Sequence, residues 1–116
     1  MGKIIITFKP ARKLRHAQYG METYGDYYTK GKNTHIDILE TLPKKIRFAI
    51  TTHELIEEHL CREAGITNKQ IDDWDFSHPS AEEPGELPGC PYFEQHAKAM
   101  KLEQFLMTLL NNGEES

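Results

Sequence analysis

The first run of hydrophobic side chains lies near the beginning of the chain. Residues 3–8 read Lys-Ile-Ile-Ile-Thr-Phe, and Pro10 follows shortly afterwards. A short run of β-branched and aromatic side chains without alternation is typical of a strand that is buried on both faces. We therefore predict such a strand over residues 3–8, ended by the proline.

A second region alternates apolar and polar side chains. In residues 34–39, Ile36 and Ile38 fall on one face of an extended chain and polar side chains fall on the other. A short aromatic segment, residues 24–28, precedes this region, and a Lys-Gly-Lys-Asn turn signal at 30–33 separates the two. The pattern predicts a β-hairpin formed by residues 24–28 and 34–39.

The apolar side chains change to a helical period after Pro43, a residue that suits the first turn of a helix. A long helix is predicted over residues 44–64. It should stop at Gly65, because glycine suits the left-handed position that follows a helix. Thr67 is a candidate N-cap for a short helical turn over residues 67–74.

The last third of the chain combines a loop and a helix. Residues 77–91 contain four prolines, two glycines and three glutamates. This composition predicts a long loop, of a kind that is often functional or mobile. A helix is predicted over residues 92–110, stopped by the Asn-Asn-Gly sequence at 111–113. Residues 114–116 are expected to form a free tail.

Together these elements predict an α+β fold, in which a strand and a hairpin form a small sheet packed by two main helices. The 116 residues are 38% hydrophobic and 28% charged, an ordinary balance for a single domain spanning residues 1–116. No apolar run approaches the roughly 20 residues of a membrane span, and the start of the chain lacks the features of an export signal. With only two cysteines, we expect a cytoplasmic protein with reduced thiols.

The net charge of −4 conceals two halves of opposite sign. Residues 1–48 carry 10 basic and 4 acidic side chains, whereas residues 49–116 carry 4 and 14. This asymmetry fits either a solvated surface with complementary halves or a basic patch for nucleic acid or an acidic partner. Four basic side chains on a loop near the start are commonplace, so we do not expect nucleic-acid binding.

The chemically informative segment lies on the long predicted helix. At about 100° per residue, His53 and Glu57 fall at the centre of its apolar stripe. Glu54 falls at the edge, Glu58 points away from the stripe, and His59 faces nearly opposite. The other members of the stripe are Ile46, Ala49, Ile50, Ile56, Leu60, Cys61 and Ala64. A carboxylate among aliphatic side chains costs several kcal/mol unless it is paired or binds a metal ion, so this placement indicates a site.

The last predicted helix directs a second imidazole into the core. His96 lies at the centre of its apolar stripe, and Glu103 lies near it. The stripe consists of Tyr92, Phe93, Ala99, Met100, Leu106, Met107 and Leu110. If the two stripes face each other, His53, Glu57 and His96 form the two-imidazole, one-carboxylate set of a catalytic zinc site. Glu103, roughly 10 Å along the axis from His96, is expected to orient a ligand without binding the ion.

Other arrangements also explain the buried carboxylate. Glu57 and His53 can form a buried hydrogen bond, or Glu57 can pair with an arginine of the first half of the chain. The candidate arginines are Arg12, Arg15 and Arg47. A third alternative is a carboxylate site for Mg²⁺, as in all-α nucleotide pyrophosphohydrolases, although the predicted strands argue against that fold. Its candidates are Glu54, Glu57, Glu58 and the acidic residues 72–75.

The segment His53-Glu54-Leu55-Ile56-Glu57 resembles the HExxH helix of zincins, with glutamate in place of the second histidine. Residues 34–60 are similar to small zincin-like proteins of the ImmA/IrrE type. They share a strand with alternating isoleucines, a Leu-Pro link, an Arg-x-x-x-Thr stretch and then the His-Glu helix. The resemblance implies Zn²⁺, a metal-bound water and Glu54 as general base. The ligand order departs from the gluzincins, which have two histidines on this helix and a glutamate later.

These observations predict a small intracellular metal-binding protein, zincin-like, that uses Zn²⁺ or another divalent ion. A metal-dependent hydrolase with a peptide or protein substrate is one of two interpretations of such a site. The chain also resembles small phage or prophage proteins in size and density of motifs, which would place it in the host cytoplasm. The alternative is a non-catalytic, phage-encoded binding or structural module, in which a metal ion or a buried His/Glu cluster only stabilises the fold.

Overall fold

Three strands and three α-helices make up the part of the chain described by the computed structural model, which covers residues 2–115 and the side chains of residues 2–111. The strands are β1 (Ile4–Lys9), β2 (Gly25–Lys30) and β3 (Asn33–Leu39). The helices are α1 (Lys44–Glu63), α2 (Asn68–Phe76) and α3 (Phe93–Glu115), with 3-10 turns at Ala11–Lys13, Arg15–Tyr19 and Pro84–Glu86. The predicted α+β class is confirmed.

β3 is the central strand of a sheet with the order β1-β3-β2. It runs parallel to β1, which aligns Ile36 with Ile6, and antiparallel to β2, which aligns Ile36 with Tyr27. Paired residues point to the same side of a sheet, so these three side chains share the face on which α1 packs. The predicted hairpin is confirmed. Its turn holds Gly31 in the left-handed region at φ 64°, which glycine adopts without strain.

β1 is not buried on both faces, which corrects the prediction for residues 3–8. It is an edge strand, and Ile4, Ile6 and Phe8 stay about half exposed, at 53%, 47% and 47%. The reason is the position of α1, which packs over β2 and β3 and leaves the β1 edge partly uncovered. The guanidinium of Arg47 lies 4.6 Å from the centre of the Phe8 ring and covers part of it.

α1 begins directly after Pro43, which occupies the N-cap position rather than the first turn. It ends shortly before Gly65, whose φ of 76° is the predicted left-handed conformation. The buried residues of α1 are Ala49, His53, Glu57, Glu58 and Cys61. The helical wheel is therefore right at its centre but wrong for Glu58, which is only 6% exposed. Residues 65–68 fold back beside this side of the helix, and Arg62 pairs with the Glu58 carboxylate at 3.2 Å.

α2 begins where the threonine signal predicts a helix. The Thr67 hydroxyl accepts a hydrogen bond from the Gln70 backbone at 3.2 Å, and the Thr67 backbone donates to the Gln70 side chain at 2.8 Å. This reciprocal capping box satisfies two backbone donors at the start of the helix. The helix runs to Phe76, slightly further than residues 67–74.

α3 runs antiparallel to α1 and is longer than the predicted helix over residues 92–110. It continues to Glu115 through the Asn-Asn-Gly sequence at 111–113, so that signal does not end it, and residues 114 and 115 belong to the helix rather than to a tail. Ser116 lies outside the described residues. Phe93, predicted to lie on the inner stripe, is 47% exposed because it borders the open depression between the Pro84–Glu86 turn and α3. Among the described residues, no helix is both long enough and apolar enough to cross a membrane.

The segment predicted as a loop over residues 77–91 is fixed to the rest of the fold. Its Pro84–Glu86 turn receives a hydrogen bond from the indole nitrogen of Trp74, which donates to the Pro84 carbonyl at 2.8 Å. Gly85 is buried against α3 and Tyr92. The segment therefore forms one wall of the space beside α3.

Candidate metal centre

Two histidines and one glutamate meet between α1 and α3. His53 and Glu57 are one turn apart on α1, and His96 projects from the first turns of α3. Nε2 of His53 and Nδ1 of His96 each lie 2.9 Å from the same oxygen of Glu57, Oε2. One potential ligand atom from each residue lies within 4.8 Å of the other two, and all three side chains are buried. The structure therefore brings together the three residues that the two apolar stripes indicate.

The antiparallel helices explain why these residues meet. Near one end of the helix pair, the Lys45 amine contacts the Asn111 side chain at 3.5 Å. Further along, Nδ1 of His53 lies 3.0 Å from Oε1 of Glu103. Residues that lie later on α1 therefore face residues that lie earlier on α3, and this register places Glu57 opposite His96.

The charges of the cluster are mutually dependent. Burial alone would raise the pKa of Glu57, but the two imidazoles outweigh it and hold that pKa below its usual range. Burial alone would lower the pKa of His53, but the carboxylates of Glu103 and Glu57 outweigh it and raise that pKa. The pKa of His96 is raised in the same way, with Glu57 as the main opposing group. Each imidazole thus favours the ionised form of the Glu57 carboxylate, and that carboxylate favours the protonated form of each imidazole.

The arginine pairing suggested for Glu57 does not occur in the described part of the chain. Arg15 instead binds Asp26 and Asp72, at 2.7 and 3.0 Å, and Arg47 lies over Phe8. The alternative of a buried His–Glu hydrogen bond does occur. Oε2 of Glu57 is within hydrogen-bond distance of both His53 and His96.

The carboxylate site suggested for Mg²⁺ is not assembled among the described residues. Glu58 faces Arg62 rather than Glu57, and the acidic residues 72–75 contact other groups. Asp72 binds Arg15, Asp73 binds Lys69, and Asp75 accepts a hydrogen bond from Tyr92. The carboxylates of this alternative therefore point in different directions.

The distal nitrogen of each imidazole faces a carboxylate. Nδ1 of His53 lies 3.0 Å from Glu103, although the carboxylate stands off the direction of the ring N–H and the contact is not an aligned hydrogen bond. Nε2 of His96 lies 3.8 Å from Glu83 and 3.9 Å from Glu86. The sequence indicates Glu103 as an orienting group without assigning it to one of the ligands. The structure places it against His53, on the neighbouring helix.

The Pro84–Glu86 turn presses directly on the His96 ring. A methyl group added to Gly85 would lie 2.7 Å from Cγ and 2.9 Å from Nδ1 of His96. Such an approach is open only to glycine, because real Cβ atoms do not come this close. Sequence reasoning did not select Gly85, Glu83 or Glu86. The available signal was the density of glutamates among the prolines of residues 77–91.

Tyr27 is a further residue of the site that sequence reasoning missed. From β2 its hydroxyl donates a hydrogen bond to Oε1 of Glu57 at 2.8 Å and lies 3.6 Å from Sγ of Cys61. The tyrosine is buried, at 6% exposure. The alternation of the hairpin predicts which face each residue takes, but it cannot predict a contact with a particular residue of α1.

Glu54 and His59 both behave as the helical wheel predicts. His59 is exposed. Glu54 lies at the edge of the buried face, where a methyl group on Gly25 of β2 would approach its Oε1 to 3.1 Å. Burial raises the pKa of Glu54 well above its usual range, and the charge of Glu57 raises it further. Glu54 is therefore a carboxyl group that readily holds a proton next to the cluster.

Comparison with models of protein families, with curated proteins and with solved structures gives no match to this chain. The class of site is therefore defined by its own geometry: a buried group of two histidines and one glutamate that could hold a metal ion.

Proposed function

We propose that the protein binds one Zn²⁺, or a similar divalent ion, between α1 and α3 through His53, Glu57 and His96. The observation that carries the proposal is the convergence of Nε2 of His53, Nδ1 of His96 and Oε2 of Glu57 from two helices. Two imidazoles and a carboxylate are the protein ligands of several catalytic zinc sites, in which water or substrate takes the fourth position.

The surroundings support the proposal. Metal-binding histidines nearly always place their second nitrogen against a carboxylate, a carbonyl or water, which fixes the ring and its tautomer. Here a carboxylate lies near each distal nitrogen. Glu103 lies 3.0 Å from Nδ1 of His53, whereas Glu83 and Glu86 lie 3.8 and 3.9 Å from Nε2 of His96, beyond hydrogen-bond distance.

The nitrogen ligands favour zinc over magnesium or calcium. Mg²⁺ and Ca²⁺ prefer six or more oxygen ligands, whereas imidazole suits zinc and its neighbours among the transition metals. Cobalt, nickel and copper ions share this preference, so the proposal concerns a class of ion.

Metal content and affinity test the proposal. The protein, freed of metal and titrated with Zn²⁺, should take up about one ion per chain, and its melting temperature should rise because the ion binds the native state. His53→Ala should abolish the uptake. His59→Ala is the matched control, since it removes an exposed imidazole from the same helix. Absence of zinc uptake by the wild type, or equal loss in both variants, would rule out the site.

A hydrolytic activity is a second proposal, supported by Glu54. The carboxyl group belongs to the residue directly after a proposed ligand and lies half-buried at the edge of the inner face of α1. The charge of a bound divalent ion would lower the raised pKa of Glu54 again. The carboxylate could then take a proton from a metal-bound water, whose pKa zinc lowers to about 7. An open depression of about 240 Å³ lies beside His96, between the Pro84–Glu86 turn and α3, and is large enough for one side chain of a peptide or protein substrate. The resemblance to ImmA/IrrE-type zincins agrees with this role.

Glu54→Gln separates hydrolase from binding module. The substitution keeps the shape of the side chain and removes the base, whose assistance is typically worth 10²–10⁴-fold. The variant should bind Zn²⁺ as the wild type does and lose peptide hydrolysis by that factor. Background rates for both proteins on a broad peptide panel would favour the non-catalytic module, in which the ion only holds α1 and α3 together.

A further inference from the structure

We propose that Tyr27 decides which oxygen of Glu57 faces the metal ion, and that its hydroxyl thereby selects a small, four-coordinate ion over larger, oxygen-preferring ions. The inference rests on the proposed metal site and concerns its choice of ion. It assigns to a residue of the sheet a role in a site otherwise built from helices.

The two oxygens of Glu57 have different partners. Oε1 accepts the hydrogen bond from the Tyr27 hydroxyl at 2.8 Å. Oε2 lies 2.9 Å from both His53 and His96. One oxygen is therefore held by the sheet, and the other is directed to the point where the two imidazoles converge.

Tyr27 is held firmly enough to impose this division. It pairs with Ile36 on the central strand and belongs to the buried core together with Ile38 and Cys61. Its hydroxyl has one proton to donate, and the carboxylate of Glu57 is a far better acceptor than the sulfur of Cys61. The hydroxyl of Tyr27 therefore donates its hydrogen bond to Oε1.

Because Tyr27 holds Oε1, Glu57 can offer only Oε2 to a metal ion, and this limits which ions fit the site. A carboxylate that binds through one oxygen fits a tetrahedral site of the zinc type. Larger ions with higher coordination numbers often take both oxygens of a carboxylate. Without the tyrosine hydroxyl, Oε1 is free to bind the ion as well, the coordination number rises, and the preference for Zn²⁺ over Mn²⁺ falls.

Tyr27→Phe tests the inference, with Tyr28→Phe as its matched control. Tyr28 is the next residue of β2, and its hydroxyl donates to Asp37 at 2.9 Å on the opposite face of the sheet. Both variants therefore lose one hydrogen bond from a tyrosine to a carboxylate, but only one of them loses it at the cluster. Zn²⁺ and Mn²⁺ affinities are measured by competition with a chromophoric chelator, and the visible spectrum of the Co²⁺-loaded protein reports the coordination number.

We expect Tyr27→Phe to lower the Zn²⁺ affinity about 10–100-fold and the Mn²⁺ affinity much less. Its Co²⁺ spectrum should weaken towards that of a five- or six-coordinate ion. Tyr28→Phe should retain the wild-type affinities and spectrum. A Tyr27→Phe protein that only melts at a lower temperature, with the wild-type spectrum and Zn²⁺/Mn²⁺ ratio, would overturn the inference and leave Tyr27 a purely structural residue.

Two further results are informative. If the wild type and both variants all fail to bind Zn²⁺ and Co²⁺, the metal site itself is refuted and this inference falls with it, a pattern distinct from the one above. If Tyr27→Phe does not fold, the visible spectrum of the Co²⁺-loaded wild type decides the question. The intense bands of a four-coordinate ion are expected, and the weak bands of a five- or six-coordinate ion would overturn the inference.

Discussion

Gly85→Ala tests whether the Pro84–Glu86 turn holds His96 in position. The added methyl group would lie 2.7 Å from Cγ of His96 and 2.9 Å from Cε2 of Tyr92. Carbon atoms in contact prefer about 3.5–4.0 Å, so the turn and the ring must separate by about 1 Å. The φ angle of Gly85 is not positive, so the backbone accepts alanine and the steric contact alone is tested.

The ring is expected to move rather than the turn, because the hydrogen bond from Trp74 anchors the turn at Pro84. A shift of about 1 Å takes Nδ1 of His96 from 2.9 Å to beyond hydrogen-bond distance of Glu57. Overpacking of a buried site costs about 1–3 kcal/mol of unfolding free energy. Loss of one aligned ligand should lower the Zn²⁺ affinity about 10–100-fold.

Urea unfolding of the metal-free protein measures the first quantity, and competition with a chelator measures the second. Gly65→Ala is a suitable control: its φ of 76° makes alanine costly, yet an added methyl group meets no atom within 4 Å. It should lose about 1–2 kcal/mol through backbone strain and keep the wild-type affinity. A Gly85→Ala protein with unchanged stability and unchanged affinity would refute the reasoning.

Three further predictions concern side chains around the site. Glu103→Gln should lower Zn²⁺ affinity about 10-fold or more because it removes the charge beside Nδ1 of His53, whereas Glu94→Gln, at an exposed position of the same helix, should not. Trp74→Phe removes the hydrogen bond to the Pro84 carbonyl. It should lower the free energy of unfolding, measured with urea, by about 1 kcal/mol and speed proteolysis within residues 77–91. An unchanged rate of cleavage would contradict this. Burial lowers the pKa of His16, but Asp75 and Asp26 outweigh it and raise that pKa, so protonated His16 stabilises the folded protein fully below the ordinary histidine pKa of about 6.5 and less as the pH rises. His16→Asn should therefore lower the free energy of unfolding more at pH 6 than at pH 9. An equal loss at both pH values would refute the assignment.

The helical part of the candidate site is predictable from sequence because periodicity fixes the direction of a side chain. His53 and Glu57 lie one turn apart on an apolar stripe, and His96 lies on another, so all three point inward wherever the helices pack. The capping signals at Thr67 and Gly65 are equally local, and the structure bears both out. Local rules succeed where the determining contacts lie within a few residues.

The remaining features depend on contacts between distant segments. Glu58 lies outside the apolar stripe, yet it is buried, with Arg62 paired to its carboxylate and residues 65–68 folded back beside it. The isoleucines of residues 3–8 have the composition of a buried strand, but the position of a strand in the sheet is decided by its partners. Tyr27 and Gly85 reach the cluster from the sheet and from the turn, and no spacing in the sequence records either contact.

The contact between Glu57 of α1 and His96 of α3 also closes a loop of the chain. Glu57 and His96 are 39 positions apart, and α2 and the Pro84–Glu86 turn lie between them. A covalent cross-link that closed a loop of this length would remove roughly 4 kcal/mol of chain entropy from the unfolded state. A bound ion would close the same loop reversibly, and the resulting stabilisation would grow with the concentration of free metal. Chelation would therefore lower the free energy of unfolding of the protein, and the supply of metal would set how often the chain opens far enough for a protease to cut it.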